Sequence, residues 1–408
     1  MNKSMIKKYA KLLLKTGVNL KKNDELYIAF DINGTALSSE LAVQAYKLGA
    51  KRVELIFSDD QAKLAAFKYA KKEDICEFPQ WYIDRTNAMV DNKACYIAIL
   101  SDDPGIFENV DSQLLADYNN AKHKAMKRYY DAATSNEIRW CLCAVPNKNW
   151  AKKMFPNAKP SEAVNNLWNY IFKTMRLDTP NAIKAWDEHI KNLEVRSKYL
   201  TENKFKAFHI TNSLGTDLTV GMPKGYYFSG GNELSKDGIS FTANMPTEEV
   251  FSLPDRNNVN GIVYSAMPLA HNGKLVEEFY LKLENGKIIE YDAKKGKDVL
   301  KGIIESDEGS HYLGEIAFVQ FDSPIRNLNT LFYETLFDEN ASCHLAIGDA
   351  YPMISGIENM SEEEIKKAGV NESCVHVDFM YGTKDLSIVG IKEDGQEVTI
   401  FKDGNFAF

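Results

Sequence analysis

The stretch CVHVDFM, residues 374–380, sets a histidine and an aspartate two positions apart in an otherwise apolar run. Successive side chains of a strand point to opposite faces, so His376 and Asp378 share one face while Val375, Val377 and Phe379 take the other. An ionised carboxylate on a buried strand face is costly unless it finds a partner or takes up a proton, and a bound cation removes that cost. The pattern recurs at Glu315, flanked by Leu313, Ile316 and Phe318, and at His344, between Cys343 and Leu345. Imidazoles and carboxylates together suit a borderline divalent ion such as zinc, manganese or cobalt better than calcium or magnesium. A single His–Asp pair reads more simply as a hydrogen-bonded core pair. Repetition of the pattern between Leu313 and Asp378 shifts the balance toward a cation site.

Upstream, NMPTEEVFSLPDR gathers Glu248, Glu249, Asp255 and Arg256 between and beside Pro246 and Pro254. The prolines restrict the backbone and make this a candidate rigid segment that aims its polar groups in a fixed direction. Thr247 with the two glutamates reads alternatively as the opening of a short helix. His311, in SDEGSHYLGE, lies close enough in sequence to Glu315 to line the same site. His271 precedes Asn-Gly and is expected in a solvent-facing turn, while His123, His189 and His209 sit in ordinary helix or strand settings.

The elements that must hold these residues follow from periodicity. Up to about residue 200 helical and strand patterns alternate, the sign of an α/β layer structure. Strands are expected at 26–30, 52–57, 94–100 and 139–145, and helices from about Ser38 to a C-cap at Gly49, near 60–72, and from about Asp111. Helical patterns dominate from Asn147 to Tyr199. Beyond Leu200 come shorter strand-like runs divided by Gly, Asn and Asp, with Asn285-Gly286 as a strong hairpin signal. The expected architecture is an α/β N-terminal domain, residues 1–200, followed by a strand-rich, largely antiparallel α+β domain, residues 201–408, that carries the metal chemistry. A chain of 408 residues is long for one core, which agrees with two domains.

Composition excludes several functions. A net charge of −8 offers no basic footprint for nucleic acid or an anionic membrane. The turn Asp31-Ile-Asn-Gly34 lacks the glycine fingerprint of a dinucleotide site, and no P-loop occurs. Lysines interrupt the apolar residues of MNKSMIKKYAKLLLKTG, which therefore reads as an amphipathic helix rather than a leader, and no run reaches membrane-spanning length. The six cysteines include no CxxC pair and sit mostly in apolar runs, as in reduced, buried thiols of a cytoplasmic protein. Cys343 should face away from His344, its strand neighbour.

Taken together, NMPTEEVF, LGE, SPI, LFDENASCH, AYP and HVDFM resemble the M29 metallo-aminopeptidases, the thermophilic aminopeptidase family. GVNLKKND, AYKLGAKRVE and NKNWAKKMFP extend the resemblance over essentially the full length. The resemblance implies an exopeptidase with two divalent ions held by two glutamates, two histidines, a tyrosine and an aspartate. Carried over motif by motif, these are Glu249, Glu315, His344, Tyr351, His376 and Asp378, with Glu248 as second choice for the first glutamate. Tyr351 enters through the resemblance alone; by itself it reads as a packed aromatic.

Two ions about 3.5–4 Å apart can share and acidify a bridging water, with Asp378 or Glu315 as the bridging carboxylate. Glu315 is the favoured general base and Glu249 its rival. Asp255, Arg256 and His311 are candidates for substrate binding. Family membership further implies peptide substrates and a homodimer. A dinuclear dipeptidase or amidase, or a non-catalytic protein whose ions hold the strand-rich domain together, are the alternatives.

Overall fold

Four apolar strands of the N-terminal half, β1 (Glu25–Phe30), β2 (Arg52–Phe57), β3 (Cys95–Leu100) and β4 (Trp140–Ala144), pair in parallel in the order β2-β1-β3-β4. The structure is a computed structural model describing residues 3–271 and 273–408, so Asn272 of the expected His271 turn lies outside the described residues. Parallel strands need long crossovers, and helices such as Thr35–Lys47 and Asp60–Tyr69 supply them, as expected from the alternating pattern. The Asp31 carboxylate accepts the N–H groups of Asn33 and Gly34 and so caps the 3-10 turn Ile32–Gly34, which runs directly into the helix from Thr35, three residues before Ser38. Gly49, at φ +93°, follows the end of that helix, where a left-handed residue is needed. The helical stretch expected from 147 to 199 is three helices, Lys148–Met154, Pro160–Thr174 and Ala182–Glu202, the second starting on a proline.

By spatial clustering the chain forms two compact units, Met1–Glu188 with Asn232–Pro246, and His189–Gly231 with Thr247–Phe408. Position 200 falls inside the helix Ala182–Glu202. No helix among the described residues is long and apolar enough to cross a membrane.

The second unit holds a large antiparallel sheet that includes Ala207–Thr211, Asp217–Gly221, Val259–Tyr264, Ser387–Ile391 and the hairpin Lys274–Glu284/Lys287–Lys295. The hairpin turns on Asn285 and Gly286, both at positive φ, as the Asn-Gly signal requires. A second antiparallel sheet contains β5 (Val250–Ser252), β6 (Leu313–Phe318), β7 (His344–Gly348) and β8 (His376–Met380), in the order β8-β7-β6-β5. Thr247 and the two glutamates thus lead into a strand, not a helix.

Alternation divides this second sheet into two faces. One carries Ile316, Phe318, Leu345, Ile347, Val377 and Phe379, all buried in the main core of the unit. Ring contacts tie it to residues of the large sheet: Phe208 to Phe318 at 5.1 Å and Phe279 to Phe379 at 5.5 Å. Each such side chain contributes roughly 1.5–3 kcal/mol by leaving water. The opposite face is left for the polar residues.

Candidate metal centre

Residues directly opposite each other in an antiparallel pair project to the same face. Glu315 lies opposite Ala346 and Ala346 opposite Asp378, while Ala317 lies opposite both Phe251 and His344. One face therefore gathers polar side chains from β6, β7 and β8, and Glu249 joins them from just ahead of β5. Alanines at 317 and 346 put the smallest side chains among these polar residues. A register shift falls between Leu313 and Glu315. At Gly314 a Cβ would come within 2.0 Å of the Asp349 carbonyl oxygen, so only glycine permits this bulge beside the Glu315 side chain.

The side chains converge closely. His344 Nε2 lies 3.0 Å from Glu249 Oε2 and 3.3 Å from Glu315 Oε1. His376 Nε2 lies 3.5 Å from Glu315 Oε2 and 3.3 Å from Asp378 Oδ1. Two groups able to hold a metal ion result, Glu249–Glu315–His344 and Glu315–His376–Asp378, each with its ligand atoms within 4.8 Å of one another. Glu315 belongs to both.

Backbone carbonyls fix both imidazoles. His344 Nδ1 is 3.0 Å from Ser342 O and His376 Nδ1 is 2.7 Å from Asp349 O. A carbonyl only accepts, so each Nδ1 carries a proton, and in the neutral ring Nε2 turns a lone pair toward the acids. This is the orientation a metal ligand needs.

The titration of the cluster shows what a cation would replace. His376 is exposed, with 29% of its side chain accessible, so its face of the strand is less buried than expected; partial burial would push the imidazole down, but Asp378 and Glu315 hold it up, at about 10. Burial likewise opposes charge on His344, yet Glu249 and Glu315 keep its pKa well above the ordinary value. Burial raises Glu315, with the charges of Asp378 and Glu249 adding to the shift and the two histidines working against it. Asp378 ends below its usual range, because the His376 imidazole outweighs the effect of burial. Protons on the imidazoles thus balance the acids when no cation is bound. Asp378 Oδ1 is buried and makes no hydrogen bond, although the His376 ring is near. A donor set of carboxylates and neutral imidazoles with one such unsatisfied oxygen fits a divalent ion.

Tyr351 follows β7. Its ring stands edge-on to His376 at 5.8 Å between centroids and to Phe251 at 6.3 Å. The residue keeps 52% of its surface exposed, yet partial burial raises its hydroxyl pKa, and the charges of Glu315, Asp378, Glu339 and Glu249 raise it further. Of the two neighbouring glutamates, Glu249 is the one at His344. Glu248, 2% exposed, has an oxygen 3.5 Å from His189 Nε2, and that nitrogen is also 2.8 Å from Thr247 O. His189, an ordinary helix residue by sequence, supports the acidic segment.

Glu339 is an acid that the sequence did not single out. It follows the helical turn Thr335–Asp338, and its pKa is well above the usual range because of burial and the nearby charges of Asp378, Glu249 and Glu315, with His344 pulling it down. The only signal was a polar triplet, Asp338-Glu339-Asn340, between the buried Phe337 and Ala341.

Asp255, Arg256 and His311 lie outside both ligand groups. Asp255 Oδ1 accepts the Asn257 N–H, and the Arg256 guanidinium covers the Tyr312 ring at 4.1 Å with Glu308 4.0 Å away. His311 closes a short 3-10 turn, Gly309–His311, and is half-buried. His271 is not in a solvent-facing turn: it ends the strand Leu269–His271, is half-buried, and burial holds its imidazole below the usual range. Cys343 turns away from the cluster, its thiol 3.2 Å from Val319 O. Cys374, by contrast, is exposed rather than buried.

A family model described as thermophilic metalloprotease (M29) matches residues 2–406. Aminopeptidase AmpS of Bacillus subtilis (strain 168) is 40% identical over 401 residues, covering 98% of both chains. Aminopeptidase PepS of Streptococcus thermophilus is 39% identical, covering 99% of this chain and 98% of its own. The solved structure of wild-type AmpT from Thermus thermophilus superposes with a TM-score of 0.92 at 33% identity and covers all of both chains.

Proposed function

The chain belongs to the thermophilic metalloprotease (M29) family, and from that premise we propose that it is an aminopeptidase removing the N-terminal residue of peptides with two divalent ions. The ligands are Glu249, Glu315, His344, Tyr351, His376 and Asp378, with Glu339 as a further acid beside them. One observation carries the reading: Glu315 belongs to both metal-binding groups and turns a different oxygen to each.

Bound as a pair, zinc, cobalt or manganese would supply an acidified water and a positive field for the scissile carbonyl oxygen. The chain's own residues do the rest. Glu315 spans the two groups, and Asp378, a member of the second group only, is the alternative bridging carboxylate. A glutamate with an oxygen free of metal must take the proton of the attacking water and pass it to the leaving amine: Glu315 can do so only where Asp378 is the carboxylate shared between the two groups, and Glu249 is the rival for that role. The Nδ1 bonds from His344 to Ser342 O and from His376 to Asp349 O hold both rings in place through the cycle. Asp255, Arg256 and His311 are assigned to substrate contacts outside the ligand groups.

The same reading takes residues 201–408 as the catalytic domain, residues 1–200 as an α/β domain, and the enzyme as a cytoplasmic homodimer. Its direct test is hydrolysis of aminoacyl-p-nitroanilides with added zinc, cobalt or manganese and with chelator. Metal-dependent release of nitroaniline is expected; inactivity with every metal and across several aminoacyl groups contradicts the reading.

A further inference from the structure

The carboxyls of Glu249, Glu315 and Asp378 repel one another and feel the charge of Glu339, and they stay in place only if something holds them there. One fully buried side chain outside the ligand set touches two of the segments that carry them. Asn340 is 0% exposed. Its Oδ1 accepts the Glu248 N–H at 2.7 Å, and its Nδ2 donates to Leu336 O at 3.0 Å and to Glu339 Oε1 at 3.3 Å.

These partners leave no choice of amide orientation. Swapping nitrogen and oxygen would set a carbonyl oxygen against Leu336 O and the Glu339 carboxyl, and a donor against an N–H. The donor side pins one oxygen of Glu339. The acceptor side fixes the peptide just ahead of Glu249, a segment that His189 also holds at Thr247 O.

We propose that Asn340 is a positioning residue for the metal centre: it fixes the Glu339 carboxyl relative to Glu249, and so sets the shape of the acid cluster that receives the cation. This rests on the metal-centre reading given above. Neighbours that orient metal ligands typically change affinity about 10- to 100-fold when removed, and Asn340 acts on one acid by its side chain and on another by the backbone ahead of it.

The test is a double-mutant cycle on the full chain, read as the zinc dissociation constant by competition with a chelator. Asn340→Ser in the native background should weaken zinc binding about tenfold. In a Glu339→Ala background, where no side chain is left for Asn340 to hold, the same change should cost markedly less, about two- to threefold, because only the Glu249 side remains to be positioned. Should Asn340→Ser not fold, Asn340→Asp keeps the acceptor for the Glu248 N–H and loses the donor to Glu339. Its penalty should likewise shrink when residue 339 is Gln, whose amide can donate back. Equal penalties in both backgrounds, or none, overturn the proposal, since a merely structural side chain is indifferent to residue 339. Zinc binding without peptide cleavage would sink the aminopeptidase reading and leave the cycle readable; no zinc binding at all would remove the centre and this proposal together.

Discussion

Glu315 presents Oε1 to His344 Nε2 at 3.3 Å, from the middle of a sheet whose other face is closed by apolar packing. Its second oxygen is turned to His376, 3.5 Å away. One carboxylate thereby links two groups that would otherwise be separate sites. The bulge at Gly314 sits immediately before it in the chain.

Glu315→Gln is therefore expected to damage both groups at once. Turnover should fall about 100-fold or more, and metal content should drop below one ion per chain, as read by p-nitroanilide kinetics and elemental analysis of the same preparation. Retained activity with two ions bound would remove Glu315 from its central place.

His344→Ala and His376→Ala each strike one group only. Each should lower turnover about 100-fold or more while leaving one ion measurable, because three of the remaining ligands still converge on the other position. Loss of both ions in either variant would show that the two positions fill only together.

Cation binding should release protons. Both imidazoles are held well above their ordinary pKa, His376 at about 10, so at neutral pH they are protonated until a cation displaces the proton. Affinity should accordingly rise with pH, and calorimetry of zinc binding at pH 7 in buffers of different ionisation enthalpy should show net proton release. A heat independent of the buffer would contradict this.

Asp307 offers a pH test outside the ligand set. Burial would raise its carboxyl, but the Cys374 N–H, the Ser373 hydroxyl and the Ser310 N–H outweigh that and hold it well below the usual range. These bonds also tie residues 373–374, just ahead of His376, to residues 307–310. A depressed folded pKa gives stability that is present above the unfolded value, about 4, and is lost as pH falls through the folded value. Asp307→Asn should thus lower the unfolding temperature at pH 7, and its gap to the native chain should narrow below about pH 4. A gap that stays constant down to acid pH would contradict the assignment.

A substrate blocked at its α-amine distinguishes an exopeptidase from a dinuclear amidase. Acetylated aminoacyl-p-nitroanilides should be cleaved at least about 100-fold more slowly than the free amines, since the amine no longer has an ionic or metal partner. Equal rates would favour the amidase.

Much of the centre was legible because a strand repeats every two residues. That period alone puts His376 and Asp378 on one face and Cys343 opposite His344, and the structure places them so. The alternating N-terminal half and the Asn285-Gly286 hairpin follow from equally local signals. Glu339 did not follow, because a helical turn brings it in and no strand period marks it. Asn340 was hidden for a related reason: its partners Glu248 and Leu336 are joined only in the folded chain. The helix starts at Thr35 rather than about Ser38 because the 3-10 turn Ile32–Gly34, capped by Asp31, runs straight into it, and no side-chain cap marks the junction.

The most direct measurement is anomalous scattering at the zinc edge from crystals of the zinc-loaded protein. Two peaks are expected, one at Glu249 and His344 and one at His376 and Asp378, with an oxygen of Glu315 at each. A single peak, or two peaks of which only one touches Glu315, would contradict a centre built around that residue.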